Sequence, residues 1–289
     1  MRPLIDTSKY ENTILNISYG DVSETLKLDI FYPEAGDGPF PVIISIHGGA
    51  FKKGDKHNGE MIEPMLHGLA KGYAVVAINY RLSGEAKFPI PVKDIKRAIR
   101  FIKANRYQYN LDTKRMVVWG GSAGAYMALM AGLFEDAELF DDENDPNLDV
   151  KANVQGVVAW FPPVNFSNMD KQLEESGLLR NYPDHDAEDS PESLFLGKPL
   201  TAAGSLLDRS NPETYIHPDM PPMFIQHGRA DKIVPYQQSR DFVEKVKQAG
   251  FEEKIHYEII EDADHGDEKF ETSENLDKVY AFINRLLKG

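Results

Sequence analysis

Short runs rich in valine and isoleucine recur along the chain and alternate with helical patterns, which leaves few folds open. The runs lie at residues 41–46, 74–78, 116–119, 154–160, 223–226 and 255–260. Near-continuous apolar runs of this length suit strands buried on both faces, as in a parallel sheet covered by helices. Two further strand-like runs, 13–19 and 26–32, read as an antiparallel pair at one edge. Between the runs, Val92, Ile95, Ile99 and Ile102 share one helical face, with Pro91 placed at its first turn. Residues 123–134 are apolar nearly all round, which predicts a buried helix. Further helices are predicted around Phe242, Val246 and Ala249, ended by Gly250, and along the apolar stripe Leu276, Val279, Phe282, Ile283 and Leu286. Strand–helix alternation implies right-handed crossovers, so the predicted class is α/β: a mostly parallel eight-stranded sheet with helices on both faces.

One stretch interrupts the rhythm. Residues 162–217 carry no clear strand and several prolines and asparagines. A structureless loop of that length is improbable inside one domain. We read it as a helical cap inserted over the strand ends, with helices near 169–179 and 191–195. Residues 1–289 are then one domain with one insertion.

Acidic residues outnumber basic ones by 46 to 32, for a net charge of −14. That weakens nucleic-acid binding and a basic membrane-surface role, because both need positive fields. There is no cysteine, which removes disulfides, thiolate metal sites and a catalytic thiol. The first residues hold no apolar signal-peptide core, so a cytoplasmic location is expected. No apolar run is long enough to span a bilayer. Oligomeric state, monomer or homodimer, is left open.

The chemistry-bearing motifs all fall just after predicted strands. Gly120-Gly121-Ser122-Ala123-Gly124 follows the run 116–119 and opens the buried helix. A serine on such a turn projects its hydroxyl above the sheet, and the Ala123 NH faces the place where an oxyanion would form. His47-Gly48-Gly49-Ala50-Phe51 follows the run 41–46, so the NH groups of Gly48 and Gly49 are candidates to complete an oxyanion hole. We assign His47 to bracing that loop rather than to proton transfer. His227-Gly228-Arg229-Ala230-Asp231 and Asp264-His265-Gly266 follow the last two strands. Ligand sites of open α/β sheets gather at these carboxyl ends. A nucleophilic serine needs a base and an acid that orients it, and Ser122, Asp231 and His265 occur in the chain order associated with this turn. Activity should therefore rise with pH as the histidine base loses its proton. Phe51, Tyr126, Phe161, Pro162 and Val234 are the candidate substrate-binding residues, by their places near strand ends.

On these motifs the chain resembles an α/β-hydrolase of the esterase group. His47 to Phe51 together with Gly120 to Ala125 make it similar to short-chain carboxylesterases related to bacterial feruloyl and acetylxylan esterases. The resemblance covers about residue 20 to the end. It implies a serine carboxylesterase acting on short acyl esters of small molecules or carbohydrates, with no cofactor and no metal. It also implies bracing roles for Asn79-Tyr80-Arg81 and for residues 91–94. Hormone-sensitive-lipase-like esterases carry a third glycine where Ala50 stands and usually an aspartate where Gly121 stands. Kynurenine formamidases share the His-Gly-Gly loop, which makes an arylformamidase the rival enzyme, although they carry a tryptophan where Phe51 stands. A non-catalytic binding protein on the same fold is the rival of another class.

Two polar segments invite a metal reading. Residues 135–149 hold eight acids, but Pro146 stands where a calcium loop needs its glycine, so a solvated loop is expected. Asp184-His185-Asp186 is read as polar cap surface. Trp119 and Trp160 are read as core or pocket floor.

Overall fold

Eight strands form one sheet in the order β1-β2-β4-β3-β5-β6-β7-β8. They are β1 (Thr13–Ser18), β2 (Lys27–Phe31), β3 (Phe40–Ile46), β4 (Ala74–Ile78), β5 (Leu111–Gly121), β6 (Gly156–Trp160), β7 (Met223–Gly228) and β8 (Ile255–Ile260). The computed structural model describes residues 3–134, 137–179 and 184–288. β2 is antiparallel to β1 and β4, and every later pairing is parallel. This is the mostly parallel α/β sheet that the strand rhythm predicts, in the arrangement that the resemblance to α/β-hydrolases implies.

The helices are α1 (Gly59–Leu66), α2 (Ile90–Ala104), α3 (Ala123–Leu133), α4 (Met169–Ser176), α5 (Pro191–Leu196), α6 (Ser205–Ser210), α7 (Gln237–Gln248) and α8 (Ser273–Leu287). Because strand side chains alternate, each parallel strand supplies both faces. On β3, Val42, Ile44 and Ile46 join the core formed with α2, α3 and α7, while Ile43 joins the one formed with α1 and α8. On β5, Met116 and Val118 face the first core, and Val117 and Trp119 the second. Trp119 meets Trp160 edge-on at 4.9 Å in that second core. α3 is buried along its whole length, as its all-apolar sequence requires.

Several elements differ from the sequence reading. β5 begins at Leu111, because a register shift beside Pro41 and Val42 extends its pairing with β3 past the polar residues 112–115. α1 leaves little periodic signal: it is short, starts at a glycine and contains Pro64. α4 stops at Ser176, where Gly177 adopts the left-handed conformation of a C-cap. The acidic run is not simply solvated. Asp141 bridges Lys96 and Arg100, Asp142 pairs with Arg97, and Asp145 lies 3.6 Å from Arg100. Three cations of α2 are thereby buried beneath the loop. Glu135 and Asp136 lie outside the described residues. Among the described residues, no helix is long and apolar enough to cross a membrane, and no group of three acidic or histidine side chains could hold a metal ion.

The segment between β6 and β7 carries α4, α5 and α6, with short 3-10 turns at Phe166–Asn168, Leu200–Ala202 and Pro212–Tyr215. Its Phe166 and Phe195 pack with Phe51 and Tyr126 in one aromatic cluster.

Candidate active site

The β5–α3 turn presents Ser122 at φ 57° and ψ −126°, a conformation that an L-residue adopts only under constraint. The constraint is steric. A Cβ on Gly124 would fall 2.2 Å from the Ile46 carbonyl oxygen, so α3 can start this close to β3 only with glycine there. Strain recurs around the same point. Of the seven described non-glycine residues with positive φ, four are Ala50, Phe51, Ser122 and Phe161, and all four line one cavity. Such outliers persist where the surrounding structure over-determines them, commonly at functional sites.

The β7 and β8 loops bring two more residues to the serine. His265 Nε2 lies 3.0 Å from Ser122 Oγ, and His265 Nδ1 lies 2.8 Å from Asp231 Oδ2. Asp231 is buried. Its other oxygen accepts the backbone NH groups of Ile233, at 2.9 Å, and Val234, at 2.8 Å. Burial by itself would raise the pKa of Asp231. The facing charge of His265 and hydrogen bonds from His227 and His265 outweigh it and hold the carboxyl well below the usual range. An ionised Asp231 keeps the proton of His265 on Nδ1, so Nε2 is free to accept from the serine hydroxyl. Phe161 packs edge-on against the His265 ring at 4.6 Å.

The loop after β3 crosses directly over the serine. A Cβ on Gly48 would sit 2.8 Å from the Gly121 carbonyl oxygen and 3.5 Å from Ser122 Cβ. Gly49 has φ +116°, which favours glycine, and a Cβ there would overlap the Lys53 carbonyl. The imidazole of His47 is buried and stacked 4.5 Å from the Tyr80 ring, with Nδ1 2.8 Å from the Gly48 carbonyl oxygen. It contacts the loop backbone and not the serine. The far end of the loop is tied down by a buried polar network. Lys56 NH donates to Asn79 Oδ1 at 2.6 Å, Lys56 Nζ lies 3.2 Å from Asp29, and His57 Nε2 also contacts Asp29. Arg81 forms a bidentate pair with Asp94, joining β4's exit to α2.

Gly48, Gly49, Phe51, Ser122, Ala123, Phe161, Val234 and His265 all line a cavity of about 270 Å³. Two residues expected there do not. Tyr126 is drawn into the aromatic cluster, and its hydroxyl donates to the Ser210 carbonyl at 2.6 Å, fastening α3 to α6. Pro162 is buried, and the left-handed turn at Phe161 brings Pro163 to the cavity wall instead. Asp184-His185-Asp186 is not a surface patch throughout: His185 is buried and lines the cavity with Glu192.

Other contributors escaped the sequence reading. His227 is buried behind Asp231, with Nε2 2.9 Å from the Val234 carbonyl and 3.3 Å from Asp231 Oδ2, and Nδ1 2.7 Å from Ser239 Oγ. The motif containing His227 was visible, but not that its ring supports the carboxylate. Asp29 sits on an edge-proximal strand with no motif around it, so its hold on the loop has no sequence signal.

Similarity to known proteins agrees with this geometry. The BD-FAE family model matches residues 28–246. The chain is 32% identical to the probable carboxylic ester hydrolase LipM of Mycobacterium tuberculosis, over 84% of this chain and 54% of that protein. It thus spans about half the length of the curated relatives it matches. A truncated carbohydrate esterase from gut microbiota superposes with a TM-score of 0.84 at 25% identity, over 99% of this chain and all of that one. A bifunctional GH43-CE protein of Bacteroides eggerthii superposes with a TM-score of 0.82 at 30% identity, over 95% of this chain and 35% of that one. The chain belongs to the BD-FAE family, as an α/β-hydrolase related to feruloyl and acetylxylan esterases.

Proposed function

We propose that the chain is a serine carboxylesterase that hydrolyses short acyl esters, including acyl groups carried on carbohydrates. The observation that carries this reading is the continuous contact from Ser122 Oγ through His265 to the buried Asp231, set in the wall of a cavity. In the first half-reaction Ser122 Oγ attacks the ester carbonyl and passes its proton to His265 Nε2. The tetrahedral oxyanion rests against the backbone NH groups of Gly48, Gly49 and Ala123, each such donor being worth roughly 3 kcal/mol in the transition state. His265 then protonates the departing alcohol. In the second half-reaction water attacks the acyl carbon as His265 takes its proton, and the bond from the acyl group to Ser122 Oγ breaks as His265 returns that proton to Oγ, releasing the acid. Asp231 orients the imidazole and stabilises its cation. These steps need only the chain's own residues.

Two features support the substrate class. The cavity of about 270 Å³ falls just below the usual range for ligand sites, which suits a small ester. The two structural neighbours above are described as a carbohydrate esterase and as a GH43-CE protein. The segment 162–217, of which 180–183 lie outside the described residues, contributes Pro163, His185, Pro191 and Glu192 to the cavity wall, which supports its reading as a cap.

An acyl-length series tests the reading. With nitrophenyl esters from acetate to octanoate, kcat/KM is expected to be highest at acetate or propionate and to fall steeply beyond butyrate. Acetylated xylan should release acetate, and methyl ferulate is the comparison for a bulky acyl group. Rates that rise steadily to octanoate would contradict a short-acyl pocket.

A further inference from the structure

The carboxylate of Asp231 is oriented by its own loop. Its Oδ1 accepts the backbone NH groups of Ile233, at 2.9 Å, and Val234, at 2.8 Å. Those two bonds set the rotation of the carboxyl group, and so the direction in which Oδ2 faces His265 Nδ1 at 2.8 Å. A loop keeps such a geometry only where its peptides are themselves held. Lys232 NH donates to Asp264 Oδ1 at 3.0 Å, in the loop after β8. His227 on β7 faces the Val234 carbonyl with Nε2 at 2.9 Å. His185 faces the Ile233 carbonyl with Nε2 at 2.9 Å, and it alone among these comes from the segment between β6 and β7.

The position of that last contact matters. A carbonyl oxygen only accepts, so His185 Nε2 carries the hydrogen. The Ile233 carbonyl and the Val234 NH are the two ends of one peptide group. That unit is planar and stiff, so fixing its oxygen fixes its NH, which is the NH that reaches Asp231. A donor on the oxygen also polarises the peptide and strengthens what its NH donates.

His185 is itself held on every side. It is 1% exposed, and it lines the catalytic cavity beside Ile233, Val234 and His265. Asp170 of α4 accepts the His185 backbone NH at 3.0 Å and the Asp186 backbone NH at 2.9 Å, one on each carboxylate oxygen. Glu192, in the first turn of α5, places Oε2 3.1 Å from His185 Nδ1. Burial opposes charge on the ring, but Glu192 outweighs it and raises the pKa above that of an ordinary histidine. A charged donor makes the stronger bond to the peptide.

We propose that His185, oriented by Glu192, is a positioning residue for the triad: it fixes the Ile233–Val234 peptide and, through the NH of that peptide, the carboxylate of Asp231. The proposal rests on the reading of Ser122, His265 and Asp231 as the triad. It adds that the segment between β6 and β7 acts on the chemical step as well as on the shape of the cavity.

Substitutions at His185 test it. His185→Leu fills the space and removes the donor. Its kcat on a nitrophenyl acetate is expected to fall roughly 10- to 100-fold, because small misplacements of catalytic groups cost that much. KM should stay within about twofold, since the lost interaction bears on the transition state. The low-field proton resonance of the Asp231–His265 hydrogen bond should shift or broaden in the same variant. His185→Gln, whose amide nitrogen reaches the place of Nε2, should restore that resonance and bring kcat back to within about threefold of wild type, the remainder reflecting the lost charge. His185→Asn is polar but too short to reach, so it should behave like His185→Leu, and it replaces that variant if His185→Leu does not fold. Wild-type kcat with an unmoved resonance in the variants that lack the donor would overturn the proposal, even with a fall in urea stability, because His185 would then only brace the cap. Equal losses in His185→Gln and His185→Asn would overturn it too. Failure of wild type to label at Ser122 with a fluorophosphonate is a different result, which removes the nucleophile assignment itself.

Discussion

Ser122→Ala is expected to abolish ester turnover while leaving the protein folded. The loss in kcat should be roughly 10⁴- to 10⁶-fold, the range seen when a serine nucleophile is removed and only the oxyanion site and binding remain. The hydroxyl makes one described contact, to His265 Nε2 at 3.0 Å, and the turn itself is held by backbone. Ser122 NH donates to the Trp160 carbonyl at 2.9 Å, and the Ser122 carbonyl accepts from the NH of Ala125 and of Tyr126. None of these involves the side chain. Stability should therefore change by no more than about 1 kcal/mol, since surface-like truncations of this kind are mild. Steady-state assays with a nitrophenyl acetate and urea denaturation of the same preparation measure both. Turnover near the wild-type rate in a preparation free of contaminating esterase would remove Ser122 from the mechanism.

Asp231→Asn should be nearly as damaging, at about 10⁴-fold in kcat, the cost recorded for the corresponding change in a serine protease triad. The cause is the direction of one proton. The carboxylate accepts from His265 Nδ1, which leaves Nε2 bare and facing the serine. An amide can place its NH₂ toward Nδ1, and the imidazole then carries its proton on Nε2, where it cannot act as base. The substitution also alters acid stability. The carboxyl of Asp231 is held below its ordinary value in the folded state, so its contribution to stability is present above about pH 4, the value of an unfolded-chain aspartate. That contribution is lost as pH falls below that point toward the folded value. Wild type should therefore lose stability more steeply than Asp231→Asn between about pH 4 and pH 2. A steeper acid loss in the variant would mean that the carboxylate is not stabilised by His265 and His227.

These predictions rest mostly on features that could be read without coordinates. β3, β4 and β6 are written in nearly continuous apolar runs and β7 opens on one, because strands covered on both faces are buried along their length. The serine turn and the two-glycine loop are legible for a related reason. Their glycines stand where a Cβ would strike backbone, as at Gly124 against Ile46 and Gly49 against Lys53, so spacing and residue type are both constrained. Asp231 and His265 were placed by their position just past strand ends.

What was not legible depends on contacts between segments that share no period. Tyr126 sits one turn beyond the serine, and nothing local distinguishes a pocket residue from one drawn into a cluster with Phe51 and Phe195. Pro162 and Pro163 differ only through the turn at Phe161, which a residue other than glycine hides. The acidic run reads as solvent-facing until α2 is laid beneath it, where Lys96, Arg97 and Arg100 meet Asp141 and Asp142. Those three basic residues interrupt an otherwise ordinary amphipathic pattern, so the docking could have been suspected from charge alone. His185 lies in a turn before α5 and Glu192 in the first turn of α5, and no periodic pattern in the sequence marks that they meet.

Mass spectrometry of the protein after exposure to a fluorophosphonate tests the central claim most directly. The account predicts a single covalent adduct, mapped to the peptide containing Ser122, formed at a rate that falls when a short acyl ester competes and that collapses in a His265→Ala variant. An unmodified Ser122, or an adduct on another serine with Ser122 intact, would contradict it.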